Sequence, residues 1–214
     1  MKQALLMGWM LLLSTKICGQ DTVFVSQPIP DTVFSRMLNK SFPDGCSVQR
    51  SELRYLTLSY CDKDGKTQRG ELVVNKAIAN DVVAIFRELW KAKYPIEQMR
   101  LVDDFGADDQ KSMAANNTSS FCFRRVANSN RLSFHAFGMA IDLNPLYNPY
   151  VRSVNGQLTV EPKAGRKYAV NRNQWRGKKF VIDTNDLAYK LFVAHGFKWG
   201  GAWKSCKDYQ HFEK

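Results

Sequence analysis

The chain has 214 residues, of which 44% are hydrophobic and 12% aromatic, which is enough for one packed domain and too many for an intrinsically disordered polypeptide. Its formal net charge of +11 predicts an anionic partner, such as a cell-wall polymer, an anionic lipid surface or a nucleic acid. The basic residues are densest over residues 163–179, a pattern that fits both a solvated surface and a binding groove. No nucleic-acid-binding motif accompanies them, so we expect no nucleic-acid partner.

The first 19 residues have the layout of a secretory signal peptide, with Lys2 near the start, an apolar run over residues 4–13 and a short polar end. The run is shorter than the roughly 20 residues that a membrane helix needs, so we expect no stable membrane span. We therefore predict an exported protein of the periplasm or cell envelope. A lipoprotein anchored through Cys18 and a buried N-terminal helix are the alternatives, although Lys16 and its neighbours fit the usual lipobox poorly.

Residues 20–45 contain three prolines and are interpreted as an extended lead-in. Residues 53–60 are rich in strand-forming side chains, with a partial alternation of apolar and polar positions. A turn signal at residues 63–65 ends in glycine, and residues 70–74 follow as a second strand. Two strands joined by a short turn predict a β-hairpin.

The clearest helix is predicted over residues 77–93, where apolar side chains recur at helical spacing until Pro95 ends the pattern. Residues 99–102 are interpreted as a short strand. Residues 103–120 are rich in Asp, Asn and Ser and predict a long loop, which in a compact domain is often functional. Residues 121–126 are interpreted as a return to strand.

A second helix is predicted over residues 185–195, with Asn185 as its cap and Gly196 as its stop. His195 then lies at the helix C-terminus, where the helix dipole favours a basic residue, and is not expected to bind a metal. There are no internal repeats or low-complexity linkers. The elements together predict a single α+β domain over residues 46–214, with a small antiparallel sheet flanked by helices.

Four cysteines remain once the leader is set aside, and an even number in an exported protein suggests disulfide bonds. Cys46 and Cys61 are the preferred pair, because they are close in sequence and flank a predicted strand. There is no CxxC pair that would indicate a structural zinc site.

Four acidic residues cluster in the long polar loop without EF-hand spacing, so we interpret them as loop solvation rather than a calcium site. They are Asp103, Asp104, Asp108 and Asp109.

Two of the three histidines lie close in sequence to carboxylates. His135 precedes Asp142 by seven residues, and a short strand over residues 139–143 would hold Asp142 on a rigid element. His211, near the C-terminus, follows Asp208 by three residues. A catalytic zinc takes three protein ligands and keeps one open position, and a free carboxylate beside it can move protons. By spacing alone, structural histidines and a surface ion pair remain alternatives.

Several segments resemble the zinc D-alanyl-D-alanine carboxypeptidase family, which shares its fold with the Hedgehog signalling domain. Residues 133–142 match its pattern Ser-x-His-x-x-Gly-x-Ala-x-Asp, and residues 208–211 match its pattern of an acid, two residues and His. Residues 199–204, Trp-Gly-Gly-Ala-Trp-Lys, are followed by Asp rather than Glu, which is more similar to the L-alanyl-D-glutamate endopeptidase branch. Residues 116–121 and 144–149 extend the resemblance over most of the chain beyond residue 45.

The resemblance implies a zinc centre in which His135, Asp142 and His211 are the metal ligands and Asp208 is the general base. These four residues implicate the chain in hydrolysis of a peptide bond. Zn²⁺ is the cofactor that the resemblance predicts.

An arginine that faces the substrate and the developing oxyanion is also implied, and Arg124 is the best match. Arg125 is the alternative, since only one of two neighbouring strand residues faces a cleft. Ser133 is expected to support the site by hydrogen bonding, and Trp203 to line the cleft. The corresponding alternatives are a surface arginine, a turn residue and a core tryptophan.

The predicted function is a zinc peptidase that cuts a stem-peptide bond of peptidoglycan, of the L-Ala-D-Glu endopeptidase type, acting as a monomer. A D-Ala-D-Ala carboxypeptidase of the same family is the nearest alternative. A non-catalytic, Hedgehog-like binding module and a basic envelope-anchoring protein with a structural metal are the others. A structural metal would need a fourth ligand, and the sequence offers no convincing one.

Overall fold

The structure is a computed structural model that describes residues 22–127 and 129–214. The predicted signal peptide over residues 1–19, with Cys18, lies outside the described residues. Among the residues that are described, no helix is both long and apolar enough to cross a membrane. The strands are β1 (Phe24–Gln27), β2 (Leu53–Cys61), β3 (Thr67–Asn75), β4 (Gln98–Met99), β5 (Asn117–Thr118), β6 (Ala140–Asp142), β7 (Tyr150–Val154), β8 (Gln157–Glu161), β9 (Lys198–Trp199), β10 (Lys207–Asp208) and β11 (His211–Glu213). The helices are α1 (Asp31–Met37), α2 (Ala79–Lys91), α3 (Asp109–Ala114), α4 (Arg166–Val170) and α5 (Leu187–Ala194). This mixture of antiparallel sheets and helices confirms the predicted α+β class.

The predicted hairpin is confirmed as β2 and β3, which pair antiparallel from Leu53 opposite Asn75 to Cys61 opposite Thr67. Leu56 and Leu58 alternate onto one face of β2 and are fully buried. The lead-in over residues 20–45 is only partly extended. Strand β1 adds to the open edge of β2, but the helix α1 follows it. Burial explains the helix, since its apolar side chains have a core to pack against.

The predicted helix over residues 77–93 is confirmed as α2, which covers the β1-β2-β3 sheet. Its inward face is formed by four fully buried apolar side chains, each of which stabilises the fold by about 1.5–3 kcal/mol relative to exposure. They are Val82, Ile85, Phe86 and Leu89. Phe86 packs edge-on against Phe192 of α5, so α2 joins the hairpin to the C-terminal part of the chain.

The C-terminal strand is the centre of a second sheet, with the order β6-β11-β9. Phe212 of β11 is fully buried and stacks on Phe192 of α5, with ring centroids 4.2 Å apart. A third sheet has the order β10-β7-β8, so β10 is its edge strand. Because β6, β10 and β11 carry Asp142, Asp208 and His211, the two sheets bring these side chains to one place.

The predicted helix over residues 185–195 is confirmed as α5, but its cap is Asp186 rather than Asn185. The Asp186 side chain accepts hydrogen bonds from the backbone N–H groups of Ala188 and Tyr189. His195 ends the helix as predicted, and its Nδ1 lies 3.0 Å from a carboxylate oxygen of Asp81 on α2.

The prediction of a loop over residues 103–120 is wrong, because the segment contains α3, β5 and a 3-10 turn at Val102–Phe105. Its polar side chains bond inward instead of facing solvent. The buried carboxylate of Asp103 accepts from the backbone N–H and the hydroxyl of Ser41, both at 3.0 Å. The acids of this segment are therefore structural partners, which corrects their interpretation as loop solvation.

The strand expected over residues 121–126 does not form, apart from an isolated bridge between Arg125 and Leu132. Successive backbone N–H groups go to different elements: Phe121 donates to Val73, and Cys122 donates to the carbonyl of His135. This segment crosses the fold between the hairpin and the turn that carries His135, and it has no single strand to pair with.

The predicted Cys46–Cys61 disulfide is also wrong, since both thiols are free. Cys46 packs with the apolar cluster that includes Leu53 at the start of β2, whereas Cys61 ends that strand. Eight residues of strand separate the two ends by roughly 26 Å, and a disulfide needs its Cα atoms within about 7 Å.

Candidate metal centre

His135 lies in a tight 3-10 turn, Phe134–Phe137, whose two ends are fixed by neighbouring residues. Ser133 caps the turn, its hydroxyl oxygen accepting from the N–H of His135 at 3.3 Å. Gly138 closes the turn in the left-handed region, with φ at +66°. A Cβ atom there would lie 2.7 Å from the backbone nitrogen of Asn75, so glycine is required for both conformation and space.

The other two side chains face each other across paired strands. Asp142 ends β6, His211 begins β11, and the two residues are direct partners in the antiparallel register. Nδ1 of His211 lies 3.1 Å from Oδ1 of Asp142, and Nε2 of His135 lies 3.2 Å from Oδ2 of the same carboxylate. The two imidazole nitrogens are 3.1 Å apart. All three residues are buried, and their ligand atoms lie within 4.8 Å of one another.

Each imidazole is oriented by a second partner on its far side. Nδ1 of His135 donates to the backbone carbonyl of Ser120 at 2.7 Å, which leaves Nε2 free to bind through its lone pair. Nε2 of His211 lies 3.1 Å from the carboxylate of Glu213, so this nitrogen carries the proton and Nδ1 faces the centre. Partners of this kind fix the ring orientation of metal-binding histidines.

The charges of the centre fit a divalent cation. Burial would raise the pKa of Asp142, but the positive charge and hydrogen bonds of His135 and His211 outweigh it and hold the pKa well below its usual range. Burial would lower the pKa of His211, but hydrogen bonds to Asp142 and Glu213 raise it to about 10. The buried Asp142 carboxylate is therefore ionised and stabilised by positive charge, which a bound cation would supply in place of a protonated imidazole. Two imidazoles and one carboxylate are the donor set of a catalytic zinc site.

Asp208 stands beside this centre on β10 and remains free of it. Its Oδ1 atom is buried and has no hydrogen-bond partner among the described residues. Desolvation, reinforced by the negative charge of Asp142, raises the pKa of Asp208 to about 7. The close approach of its strand depends on Gly200, where a Cβ atom would lie 2.7 Å from the carbonyl oxygen of Asp208. A carboxyl with this pKa can accept and release a proton near neutral pH.

Arg124, not Arg125, faces the centre. Nη2 of Arg124 lies 2.6 Å from the carboxylate of Asp109 on α3, while its Nε is buried without a partner in the described part of the chain. Burial would lower the pKa of Arg124, but the negative charges of Asp109, Asp142 and Asp208 outweigh it and raise the pKa. Arg125 is exposed and donates to the carbonyl of Asn130.

The two remaining candidates are placed near the metal ligands. The half-buried ring of Trp203 lies 5.3 Å from the ring of His211, centroid to centroid. Ser133 acts through the turn that it caps and through its backbone N–H, which donates to the carbonyl of Arg124 at 3.1 Å. Substrate contact by Trp203 or Ser133 stays a prediction.

Sequence reasoning missed three residues of the centre. Glu213 lies two residues after His211, a spacing that on a strand puts both side chains on one face, so the pattern could have revealed it. Ser120 contributes only a backbone carbonyl, for which no side-chain signal exists. Asp109 reaches Arg124 from another element and lay hidden in a run of acids.

The fold and the centre together define the chain as an α+β protein with a buried His-Asp-His group and an adjacent free carboxylate. Residues 127–214 match a family model described as D-alanyl-D-alanine carboxypeptidase. The matched part contains all three candidate ligands and Asp208, but not Arg124. No solved structure gives a significant match. The match supports a zinc metallopeptidase, and the buried group is suited to hold the metal.

Proposed function

We propose that the protein is a zinc-dependent peptidase that hydrolyses a stem-peptide bond of peptidoglycan. The observation that carries the proposal is the placement of Asp208, a desolvated carboxylate with a free oxygen, directly beside the His-Asp-His group. A purely structural metal has no use for such a group, whereas hydrolysis needs one to move protons. The match to the carboxypeptidase family model supports the same class of substrate.

In this proposal the residues of the site have three separate roles. His135, Asp142 and His211 hold the zinc, which when bound lowers the pKa of water and polarises a carbonyl. Asp208 takes a proton at its free Oδ1 atom and passes it to the leaving amine. Arg124, whose Nε has no hydrogen-bond partner among the described residues, is assigned to a substrate carboxylate or to the negative charge that develops on the carbonyl oxygen.

The bond that we propose is L-Ala-D-Glu. It is supported by the Trp-Gly-Gly-Ala-Trp-Lys segment at residues 199–204 and by Asp rather than Glu at position 208, both of which resemble the endopeptidase branch. The nearest alternative is the D-Ala-D-Ala bond, which the description of the matched family names. We propose further that the protein is exported to the periplasm or cell envelope and acts as a monomer.

The test is digestion of purified peptidoglycan by the chain lacking residues 1–19, with and without a chelator, followed by mass spectrometry of the new ends. New amino-terminal D-Glu should appear only with zinc present. The Asp208→Ala variant should bind zinc normally and produce no new ends. His195→Ala is the matched control, because this histidine lies at the end of α5 and bonds Asp81 rather than the centre.

Release of D-Ala without amino-terminal D-Glu would replace the proposed bond with the carboxypeptidase one. Metal-loaded protein that cleaves no stem peptide would contradict the enzyme and favour a Hedgehog-like binding module.

A further inference from the structure

Residues 147–183, called the basic segment from here on, fold into a small unit with its own aromatic core. Tyr147 and Phe180 have ring centroids 4.7 Å apart, and Tyr168 and Trp175 have centroids 4.8 Å apart. These rings pack α4 against the segments before β7 and after α4, and β7 pairs with β8 along its length. The side chains on the outside of the segment are therefore displayed by a packed scaffold.

The basic segment carries eight Lys and Arg residues against two acids, so its net charge is +6, more than half of the +11 of the whole chain. Only Arg172 turns inward, where it donates to the side chain of Asn148 and to the carbonyl of Ile182. The other seven are exposed. They are Arg152, Lys163, Arg166, Lys167, Arg176, Lys178 and Lys179.

This charge is not neutralised within the described part of the chain, where none of the eight cations forms an ion pair. The two acids of the segment bond elsewhere: Glu161 accepts from the side chain of Gln110, and Asp183 accepts from backbone N–H groups of residues 185 and 186. Some basic residues outside the segment do form ion pairs, such as Arg36 and Arg100, which both pair with Asp104. The positive charge of the basic segment is thus available to an external anion.

The basic segment is joined directly to the candidate active site. Its strand β7 pairs with β10, with Tyr150 opposite Asp208. Arg176, Lys178 and Lys179 also line an open cavity of about 440 Å³, which they share with Tyr94 and with the acidic residues Asp183 and Asp186. The β10-β7-β8 sheet thus connects the basic segment to the strand that carries Asp208.

We infer that the basic segment is a docking surface for peptidoglycan itself, which it binds through the repeated free carboxylates of the stem peptides. The inference rests on the proposed function for the identity of the polymer. Nucleic acid is disfavoured, because the aromatic rings pack against one another instead of standing exposed for base stacking. Docking by several weak charge contacts keeps the enzyme on its insoluble substrate between cleavage events.

The test uses the full chain in an Asp208→Asn background, so that the polymer stays intact, and measures binding to purified peptidoglycan sacculi. One variant carries Lys163→Gln, Arg176→Gln, Lys178→Gln and Lys179→Gln. The matched control removes three Lys and one Arg from the exposed surface of the hairpin and its end, through Lys63→Gln, Lys66→Gln, Arg69→Gln and Lys76→Gln. Both sets remove four positive charges, so an effect of net charge alone would be equal.

The segment variant should bind sacculi on the order of tenfold more weakly at low salt, and the difference should fade as salt rises. The control should bind like its parent, and so should a variant that keeps the charge through Lys163→Arg, Lys178→Arg and Lys179→Arg. Equal weakening of both variants, or none, would overturn the inference. Tighter, segment-dependent binding to single-stranded DNA or to anionic lipid vesicles than to sacculi would also overturn it.

Cleavage of a soluble stem peptide, measured with Asp208 restored, separates this inference from the proposed function. Both charge variants should cleave the small peptide at the parent rate, because the substituted residues lie outside the metal centre. Loss of sacculus binding with peptide cleavage intact supports docking. Binding that depends on the segment in a protein that cleaves nothing would refute the enzyme and leave the docking surface in place.

Discussion

Glu213 orients a candidate metal ligand without being one. Its carboxylate accepts from Nε2 of His211, which turns Nδ1 toward Asp142 and His135. Glu213→Gln keeps the shape of the side chain but removes the charge that makes the imidazole a stronger ligand. Zinc affinity should fall by about 10- to 100-fold, as measured by competition with a chromophoric chelator.

The control for this substitution is Glu88→Gln, which removes the same charge from an exposed position of α2 that pairs with Lys91. It should leave the affinity for zinc unchanged. An unaltered affinity in the Glu213→Gln protein would mean that β11 alone orients His211.

Asp109 holds the guanidinium that we place against the substrate. Its carboxylate binds Nη2 of Arg124 at 2.6 Å, and both side chains are largely buried. Asp109→Asn should free Arg124 to rotate and lower kcat/KM by about tenfold or more, while the zinc content stays the same. Asp108→Asn is the matched control, because asparagine also caps α3 at that position. Equal activity of the two variants would show that Arg124 needs no anchor.

The residue scale also shows where sequence is informative. The grouping of His135, Asp142 and His211 was predictable, because the family resemblance of their motifs decided what spacing alone left open. Arg124 was preferred to Arg125 only by its match to the family pattern, because the expected strand does not form and the physical difference lies in contacts with α3 and with the loop at Asn130. Which of two adjacent arginines faces a site is determined by tertiary contacts.

The N-terminal cap of helix α5 makes the stability of the protein depend on pH. This cap, Asp186, accepts from two backbone N–H groups and from the hydroxyl of Tyr94, and desolvation raises its pKa to about 6. In the unfolded chain the group ionises near pH 4. The folded state therefore holds the proton more tightly, and its stabilisation by this group is lost as the pH rises from about 4 to about 6.

Asp186→Asn should remove this loss, because asparagine keeps the acceptor oxygen and has no charge to desolvate. Chemical denaturation gives the free energy of unfolding at pH 4 and at pH 7. From pH 4 to pH 7, this free energy should rise in the variant by up to about 3 kcal/mol relative to the wild type. Asp64→Asn, in the exposed turn of the hairpin, is the control and should reproduce the wild-type pH dependence. A parallel pH dependence of wild type and Asp186→Asn would contradict the assignment.

At the scale of elements, prediction succeeded where the pattern is local and repeated. The hairpin and α2 were both found, because alternation, a glycine turn and helical spacing each report on adjacent residues. The segment over residues 103–120 was mistaken for a loop, because its polar residues bond inward to partners such as Ser41, more than 60 positions away. Polarity alone does not distinguish a buried polar network from solvation.

At the scale of the whole molecule, the candidate metal centre joins elements from distant parts of the chain. His135 comes from a turn, Asp142 from β6 and His211 from β11, and β11 is the middle strand of its sheet. A cation bound there is linked only to the folded state, since the unfolded chain does not bring the three ligands together. Metal binding should therefore stabilise the entire fold.

Zinc at about 1,000 times its dissociation constant should stabilise the folded protein by about 4 kcal/mol, which for a chain of this length raises the melting temperature by roughly 10 °C. Differential scanning calorimetry of metal-free and zinc-loaded protein measures the shift. His211→Ala should abolish it, whereas His195→Ala should keep it, because His195 bonds Asp81 outside the centre. Stabilisation by zinc that survives His211→Ala but disappears with His195→Ala would place the metal elsewhere and remove the basis for peptidase activity at β11.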